Sequence, residues 1–531
     1  MKFFRVGIGL LLLAGSLAAA ASDLRLIEAA QNKDATAVRA LLAQHVPVTA
    51  TAPDGFTALH AAVRYDNLEI AHLLIAAGAD VKAATRYNVT PLSLACTNGN
   101  AAMIELLLKA GVDANSTSEA GQTALMTASL AGKVDSVKML LAHGAKVNVH
   151  EPTKGQTALM WAASEGNTAA AESLVEFGAD VKARSKTGYT PLLFGVRGGH
   201  KDTVLALLAH GANSNDVAPD GTSALNVAVV NAYFEVAAVL LNHGANPNAP
   251  DARGSALHTL AWLRKPGSDG GNGLGHRSYA PPLPTGNMTA LELAKVLLDH
   301  GANPNARIAW QEKKFEKEGG TMRNPPLIQL GRHYLTYVGA TPFYVAAHNG
   351  DAPYMRLLAE HGADPKTPNT LGITPLIAAS GLDYWEGEAP GPFTGVTEAE
   401  RLDAVKLALD LGNDIDAAAD FGDYPMEGEP SYTLLYYPLN MDQLMGKVLG
   451  DPRWSGSTAL HGAVVSGQPG IVQYLVDRGA KLDAKTKTGW TPLMLAGGVF
   501  FANAKKEYPA EAAILKKAMM ERGLMASGPA R

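Results

Sequence analysis

The chain has 531 residues, 47% of them hydrophobic and 18% charged, with 45 basic against 50 acidic side chains. So much apolar content can fill a continuous core, and the low charge excludes a disordered chain. Removing Lys2 and Arg5 with a leader leaves 43 basic against 50 acidic residues, a balance that disfavours nucleic acid and anionic membranes as partners.

The amino terminus reads as a secretory signal peptide over residues 1–21. Lys2 and Arg5 give the positive end, Gly7 to Leu17 a short apolar core, and Ala19-Ala20-Ala21 before Ser22 a cleavage point. The apolar run is too short for a comfortable membrane span. A periplasmic or secreted location is expected, with no membrane insertion after cleavage. Cys96 is the only cysteine, so no intramolecular disulfide forms and stability must come from packing. It occupies the place of a repeat alanine in Leu94-Ala95-Cys96, which predicts a buried, inert thiol.

A Thr/Ser-x-Leu unit then returns at Thr57, Thr90, Thr123, Thr157, Thr190 and Ser223, in steps of 33 or 34 residues. A glycine after a Leu-rich run keeps the same time at Gly78, Gly111, Gly144, Gly178, Gly211 and Gly244. Two markers in phase predict a stacked repeat array rather than a closed globule. Threonine supplies an oxygen to the free N–H groups of a helix start, and proline just after it occupies a position where a missing N–H costs nothing. A first helix of about nine residues follows, with Leu59 to Tyr65 within it. Next come a polar or glycine turn and a second helix with an apolar pair such as Leu73-Leu74. Glycine closes the second helix with a left-handed backbone. One such unit cannot bury its apolar face alone, so neighbours stack.

These residues resemble the ankyrin repeat family. Thr57-Ala58-Leu59-His60-Ala61-Ala62 is similar to its T-P-L-H-x-A opening, and Thr90-Pro91-Leu92, Thr190-Pro191-Leu192, Thr374-Pro375-Leu376 and Thr491-Pro492-Leu493 give the proline form. Leu207 to Asn213 and Leu297 to Asn303 are similar to its closing segment. The resemblance covers about twelve repeats between roughly Asp23 and Gly523. It implies an all-α, ankyrin-type solenoid whose loops and concave groove bind other macromolecules, and it leaves the partner open.

The beat breaks in the carboxy-terminal half. Excess spacing places four insertions near residues 264–286, 307–338, 382–396 and 417–455. The expected organisation is a signal peptide over 1–21 and regular repeats from 22 to 262, then inserted repeats eight to eleven over 263–456. The last repeats and a cap follow over 457–531. The insertions hold eight of the sixteen tyrosines and three of the six tryptophans, more than flexible linkers need. These rings either pin the loops to the stack or form a partner surface, since tyrosine and tryptophan dominate binding hot spots.

Chemistry for catalysis is not indicated. No H-E-x-x-H, C-x-x-C-H, Walker loop or G-x-S-x-G elbow occurs, and the glycine-rich stretch Ser268 to Gly275 follows no predicted strand and reads as a loop. Eight histidines sit in recurrent slots. His60, His258 and His461 follow the T-x-L pattern, and His143, His210, His243, His300 and His361 precede the repeat glycine; both groups are expected to pack and hydrogen-bond between repeats. The insertion carboxylates, among them Asp383, Glu386 and Asp420, read as solvated loop charge. No metal and no cofactor is expected.

Two residues per repeat should face the groove, just before the helix–helix turn: Arg64-Tyr65, Thr97-Asn98, Leu130-Ala131, Ser164-Glu165, Arg197-Gly198, Val230-Asn231, His348-Asn349 and Val465-Ser466. The candidate partner-binding residues are Arg64, Tyr65 and Arg197 there, with Trp310, Tyr384, Trp385, Tyr436, Tyr437 and Trp454 in the insertions. The expected function is a non-enzymatic, exported, monomeric scaffold for a protein partner. The alternative is a glycan, small-ligand or hydrolytic site built from the insertions.

Overall fold

The computed structural model describes residues 23–118, 120–249, 254–264, 283–308, 339–382, 396–420, 455–498, 500–501 and 504–525. The signal-peptide segment and nearly all of the four insertions lie outside these residues. The chain divides into two units, one ending at Thr187 and one beginning at Gly188.

The amino-terminal unit contains five helix pairs among its described residues: α1 (Arg25–Gln31) with α2 (Ala35–Ala43), α3 (Ala58–Arg64) with α4 (Leu68–Ala76), α5 (Pro91–Asn98) with α6 (Ala101–Lys109), α7 (Ala124–Leu130) with α8 (Val134–Ala142), and α9 (Ala158–Ser164) with α10 (Thr168–Glu176). First helices stack on first helices, from α1 through α9, and second helices on second helices.

The carboxy-terminal unit holds seven pairs among its described residues. They are α11 (Pro191–Gly198) and α12 (Lys201–Ala209), α13 (Ala224–Val230) and α14 (Phe234–Asn242), α15 (Ala256–Arg264) and α16 (Ala290–Asp299), and α17 (Pro342–His348) and α18 (Ala352–Glu360). Then come α19 (Pro375–Ala379) and α20 (Glu398–Asp410), α21 (Ala459–Val465) and α22 (Pro469–Asp477), and α23 (Pro492–Ala496) and α24 (Pro509–Glu521). A short antiparallel hairpin, Phe500–Phe501 with Ala504–Lys505, joins α23 to α24. The fold is an all-α stack of repeats. No helix among the described residues is long and apolar enough to cross a membrane.

Each element forms for a local reason. Thr57 Oγ1 accepts from the backbone N–H of His60, and Thr90, Thr123, Thr157, Thr190, Thr341, Thr374 and Thr491 cap their helices the same way. The leucine two places on, such as Leu59, Leu92, Leu192 and Leu460, is at most 1% exposed and fills the core between neighbours. The first helix is shorter than its pattern suggests: α3 spans seven residues, Ala58–Arg64. Gly78 ends α4 at φ +89°, and the next N–H, from Ala79, donates back to the Leu74 carbonyl.

A second device ties several repeats to the next. Asn115, four residues after Gly111, donates from Nδ2 to the Gly144 carbonyl and accepts the Lys146 N–H on Oδ1. Asn148 does the same to Gly178 and Asp180, and Asn215 to Gly244 and Asn246. The ladder survives the broken beat. Asn248 bonds Gly301 and Asn303, and Asn305 bonds Gly362 and Asp364. Likewise α17 still packs on α15, and α21 on α19. The extra residues therefore leave the stack in register, as loop entropy grows only slowly with length. Asn248→Ala should lower the urea midpoint of the carboxy-terminal unit by the equivalent of about 1 kcal/mol, matching Asn215→Ala, whose ladder step carries no insertion.

The last described helix corrects an expectation. Its sequence predicts a solvent-facing cap with Glu511, Lys516, Lys517, Glu521 and Arg522 outward. Lys516, Lys517 and Glu521 are exposed, but Glu511 is buried and burial pushes its carboxyl up. Arg522 is exposed too, but its guanidinium turns back and donates to the carbonyls of Val476, in the last turn of α22, and Ala480, beyond its end.

Candidate functional site

The two positions before each helix–helix turn were expected to form one open groove, and the structure divides them. In the amino-terminal unit Arg64, Tyr65, Thr97, Asn98, Leu130, Ala131 and Glu165 are exposed, and Ser164 is half-buried. One helical turn earlier on the same face, Leu94, Thr127 and Trp161 are half-buried. Tyr65 and Leu130 keep 39% and 42% exposure, high for large apolar side chains. The Trp161 indole N–H is buried with no hydrogen-bond partner among the described residues.

In the carboxy-terminal unit the face begins open. Arg197 and Gly198 are exposed, and Phe194 is half-buried with its ring 5.6 Å from that of Tyr189. It then closes. Val230 is buried and Asn231 half-buried, Trp262 is 7% exposed, His348, Asn349 and Ser466 are fully buried, and Val465 is buried. Part of the reason is that these residues serve the stack. Asn349 Nδ2 donates to the Ala261 carbonyl, Ser466 Oγ to the Ser380 carbonyl, and the Tyr508 hydroxyl to the Val465 carbonyl. Asn98 does likewise toward Val63 and Arg64 in the amino-terminal unit. Each satisfies carbonyls that a helix end leaves over. Gly462 fits the same closed region: a Cβ there would lie 2.7 Å from the backbone nitrogen of Leu382.

A buried ion pair anchors this closed region. Arg264 Nε and Nη2 donate to the two oxygens of Asp351 at 2.6 and 2.9 Å. The Asp351 side chain is fully buried, and that of Arg264 is 15% exposed. Asp351 also caps α18 by accepting the Tyr354 N–H. The Arg264 guanidinium lies 5.6 Å from the centre of the Tyr354 ring, and the Tyr354 hydroxyl donates to the Leu257 carbonyl.

The histidines separate into two groups. In the T-x-L-H slot the backbone N–H of residue i−3 donates to Nδ1, which leaves the ring proton on Nε2 to be donated to the next repeat. His60 thus reaches Val89, His258 reaches Ala340 and His461 reaches Trp490. Burial lowers the pKa of His60 and brings those of His258 and His461 down to about 4. Four of the five histidines before the repeat glycine bond within their own helix, and His361 Nε2 also lies 3.8 Å from Asp299 of the preceding pair. Nδ1 of His143, His243, His300 and His361 meets the carbonyl four residues earlier, which corrects the expected inter-repeat bonding. Cys96 is fully buried, and burial raises its thiol to about 12. No group of three or more His, Cys, Asp or Glu able to hold a metal occurs among the described residues.

Trp310, Tyr384, Trp385, Tyr436, Tyr437 and Trp454 lie outside the described residues, as do Asp383 and Glu386. Asp420 is described and exposed; its backbone N–H donates to Leu371. One surface pair escaped the sequence reading. At the tip of the hairpin before α5, Tyr87 is 68% exposed, with the Arg86 guanidinium 4.7 Å from its ring centre and donating to its hydroxyl. Its signal was its place between Gly78 and Thr90, where a hairpin tip falls. Leu130 was named only as one groove position among others.

Two family models match the chain. The ankyrin repeats (3 copies) model matches residues 26–118, 92–185 and 159–251, and the ankyrin repeat model matches 338–370 and 455–487. Together they cover more than half of the sequence, and the chain belongs to the ankyrin repeat family. Among solved structures, the crystal structure of the human ASB11 ankyrin repeat domain is 28% identical, covering 42% of this chain and 98% of that one, with a TM-score of 0.39. No curated protein matches the chain.

Proposed function

We propose that this chain is an exported, non-enzymatic scaffold that holds a protein partner on the first-helix face of its amino-terminal unit. The carrying observation is the contrast in exposure. Arg64, Tyr65, Thr97 and Leu130 are open at positions whose equivalents from Val230 to Ser466 are buried, or half-buried at Asn231 and Leu263. The open residues differ in chemistry from repeat to repeat, as a surface that reads a particular partner requires. A tyrosine and an arginine beside half-buried leucine and tryptophan are the side chains that dominate binding energy. Arg197 is a separate candidate in the other unit. Arg86 and Tyr87 add a hairpin-tip contact. The aromatic insertion residues Trp310, Tyr384, Trp385, Tyr436, Tyr437 and Trp454 are a further candidate surface, supported by their clustering in the sequence. The basic, apolar and small-residue order of the first 21 residues supports export.

The test is affinity capture from the exported fraction with three baits: the wild-type chain, Arg64→Ala/Tyr65→Ala/Leu130→Ala, and a chain with residues 421–454 replaced by a short turn. The triple variant should weaken capture on the order of a hundredfold, while the shortened chain retains it. Loss confined to the shortened chain would move recognition to the insertion. A chain that captures no protein but binds soluble glycans would favour the ligand-binding alternative.

A further inference from the structure

Charge is segregated on the amino-terminal unit. The four loops that follow α4, α6, α8 and α10 span residues 78–89, 111–122, 144–156 and 178–187. Among their described residues, seven basic side chains from Lys82 to Lys186 are exposed, against three carboxylates, Asp80, Asp113 and Asp180. Each of those three accepts a backbone N–H of its own loop, from Lys82, Asn115 and Lys182 in turn. A further acid, Glu151, is buried and accepts the N–H groups of Thr153, Lys154 and Gln156. The second helices of the same pairs carry the opposite excess: Glu69, Asp135, Glu172 and Glu176 are exposed, against Lys109 and Lys138. The corresponding loops of the carboxy-terminal unit are balanced, with five exposed basic and six exposed acidic side chains among the described residues.

The cations gather at the loop tips. The Lys186 N–H donates to the Lys154 carbonyl at 2.9 Å, so the last two tips are neighbours. Gly155 permits this approach: at φ +67°, a Cβ there would lie 2.9 Å from the Lys186 nitrogen. The Lys186 ammonium donates to the Pro152 carbonyl, and the Arg86 guanidinium rests on the Tyr87 ring and hydroxyl. These partners are neutral and hold the cations in place without cancelling them.

We propose that this loop edge binds an extended acidic segment of a protein, rich in glutamate or aspartate over about eight residues. The length follows from the stack. Arg86 and Lys186 stand three repeats apart, roughly 24–30 Å at 8–10 Å per step, which about eight residues of extended chain cover. The inference rests on the proposed reading only in that the partner is a protein; the surface is the loop edge rather than the first-helix face. The acidic second helices and the net charge of −5 repel a broad anionic surface such as a membrane, whereas a narrow segment meets only the basic edge.

The test is fluorescence anisotropy with the full chain and a labelled poly-glutamate peptide of about ten residues. The wild type should bind it, and raising sodium chloride from about 20 to about 150 mM should weaken binding about tenfold or more. Lys154→Glu/Lys186→Glu should weaken it about tenfold or more at low salt, with an unchanged helical circular dichroism spectrum. Lys481→Glu/Lys485→Glu, the same reversal on the carboxy-terminal unit, should bind as the wild type does. Arg64→Ala/Tyr65→Ala/Leu130→Ala should also keep the peptide, so failed partner capture by that variant and failed peptide binding are separate results. No binding by the wild type, equal loss in both charge reversals, or tighter binding to phosphatidylglycerol vesicles than to the peptide would each overturn the proposal.

Discussion

Asp351→Ala should lower the stability of the carboxy-terminal unit by about 3–5 kcal/mol, read as a shift of its urea midpoint. The substitution leaves the Arg264 guanidinium, 15% exposed, without its counter-charge in a site that water scarcely reaches. It also removes the cap on α18. The loss comes from stranding a charge, so it should largely vanish in Arg264→Met/Asp351→Asn, where no charge is buried and a capping side chain remains. The Arg39–Glu69 pair is a fair contrast. Both side chains are more than half exposed, and Arg39→Ala should leave the midpoint of the amino-terminal unit nearly unchanged. Equal effects of Asp351→Ala and Arg39→Ala would mean that the buried pair does not hold repeats eight and nine together.

The second large effect is on pH dependence. His258 and His461 are buried, and their folded pKa values are pushed down to about 4, against about 6.5 in an unfolded chain. Between those values the unfolded state binds protons that the folded state refuses, so stability rises with pH across the window. The contribution is complete above about pH 6.5 and is lost as pH falls toward 4, amounting to roughly 3 kcal/mol per histidine. Geometry gives the reason beyond burial. Nδ1 already accepts an N–H, from Ser255 in one case and Thr458 in the other, so a proton there would face a donor. Urea midpoints between pH 7.5 and 4.5 should fall steeply in the wild type and more gently in His258→Gln/His461→Gln, which starts lower at neutral pH. An unchanged slope in the variant would assign the acid sensitivity to other groups.

Much of the fold was legible because it depends on short-range chemistry. A threonine cap, a following leucine and a closing glycine act within one repeat, and their 33-residue recurrence exposed both the stack and the places where it is interrupted. What remained hidden depends on residues far apart in the chain. Arg264 and Asp351 are separated by 87 positions, and nothing local to either announces the other. The asparagines at 115, 148, 215, 248 and 305 were visible as a recurring letter. Their role appears only when the next repeat brings a glycine carbonyl and a backbone N–H to the same amide. The pre-glycine histidines were misassigned because a ring at a helix end reaches its own carbonyl more cheaply than a neighbour's. The groove was read as uniform because equivalent positions share a local pattern, whereas exposure is set by what lies over them. His348 and Asn349 are covered where Arg64 and Tyr65 are not.

Recognition by the open first-helix face can be tested by site-specific photo-crosslinking. A benzoylphenylalanine side chain is placed at Leu130, on the first-helix face of the amino-terminal unit, or at Glu172, exposed on the second helix α10. Each chain is irradiated in the exported fraction and its adducts identified by mass. One protein adduct should form from position 130, absent from position 172 and lost when Arg64 and Tyr65 are also changed to alanine. An adduct formed only from position 172, or equally from both, would contradict recognition by the open first-helix face.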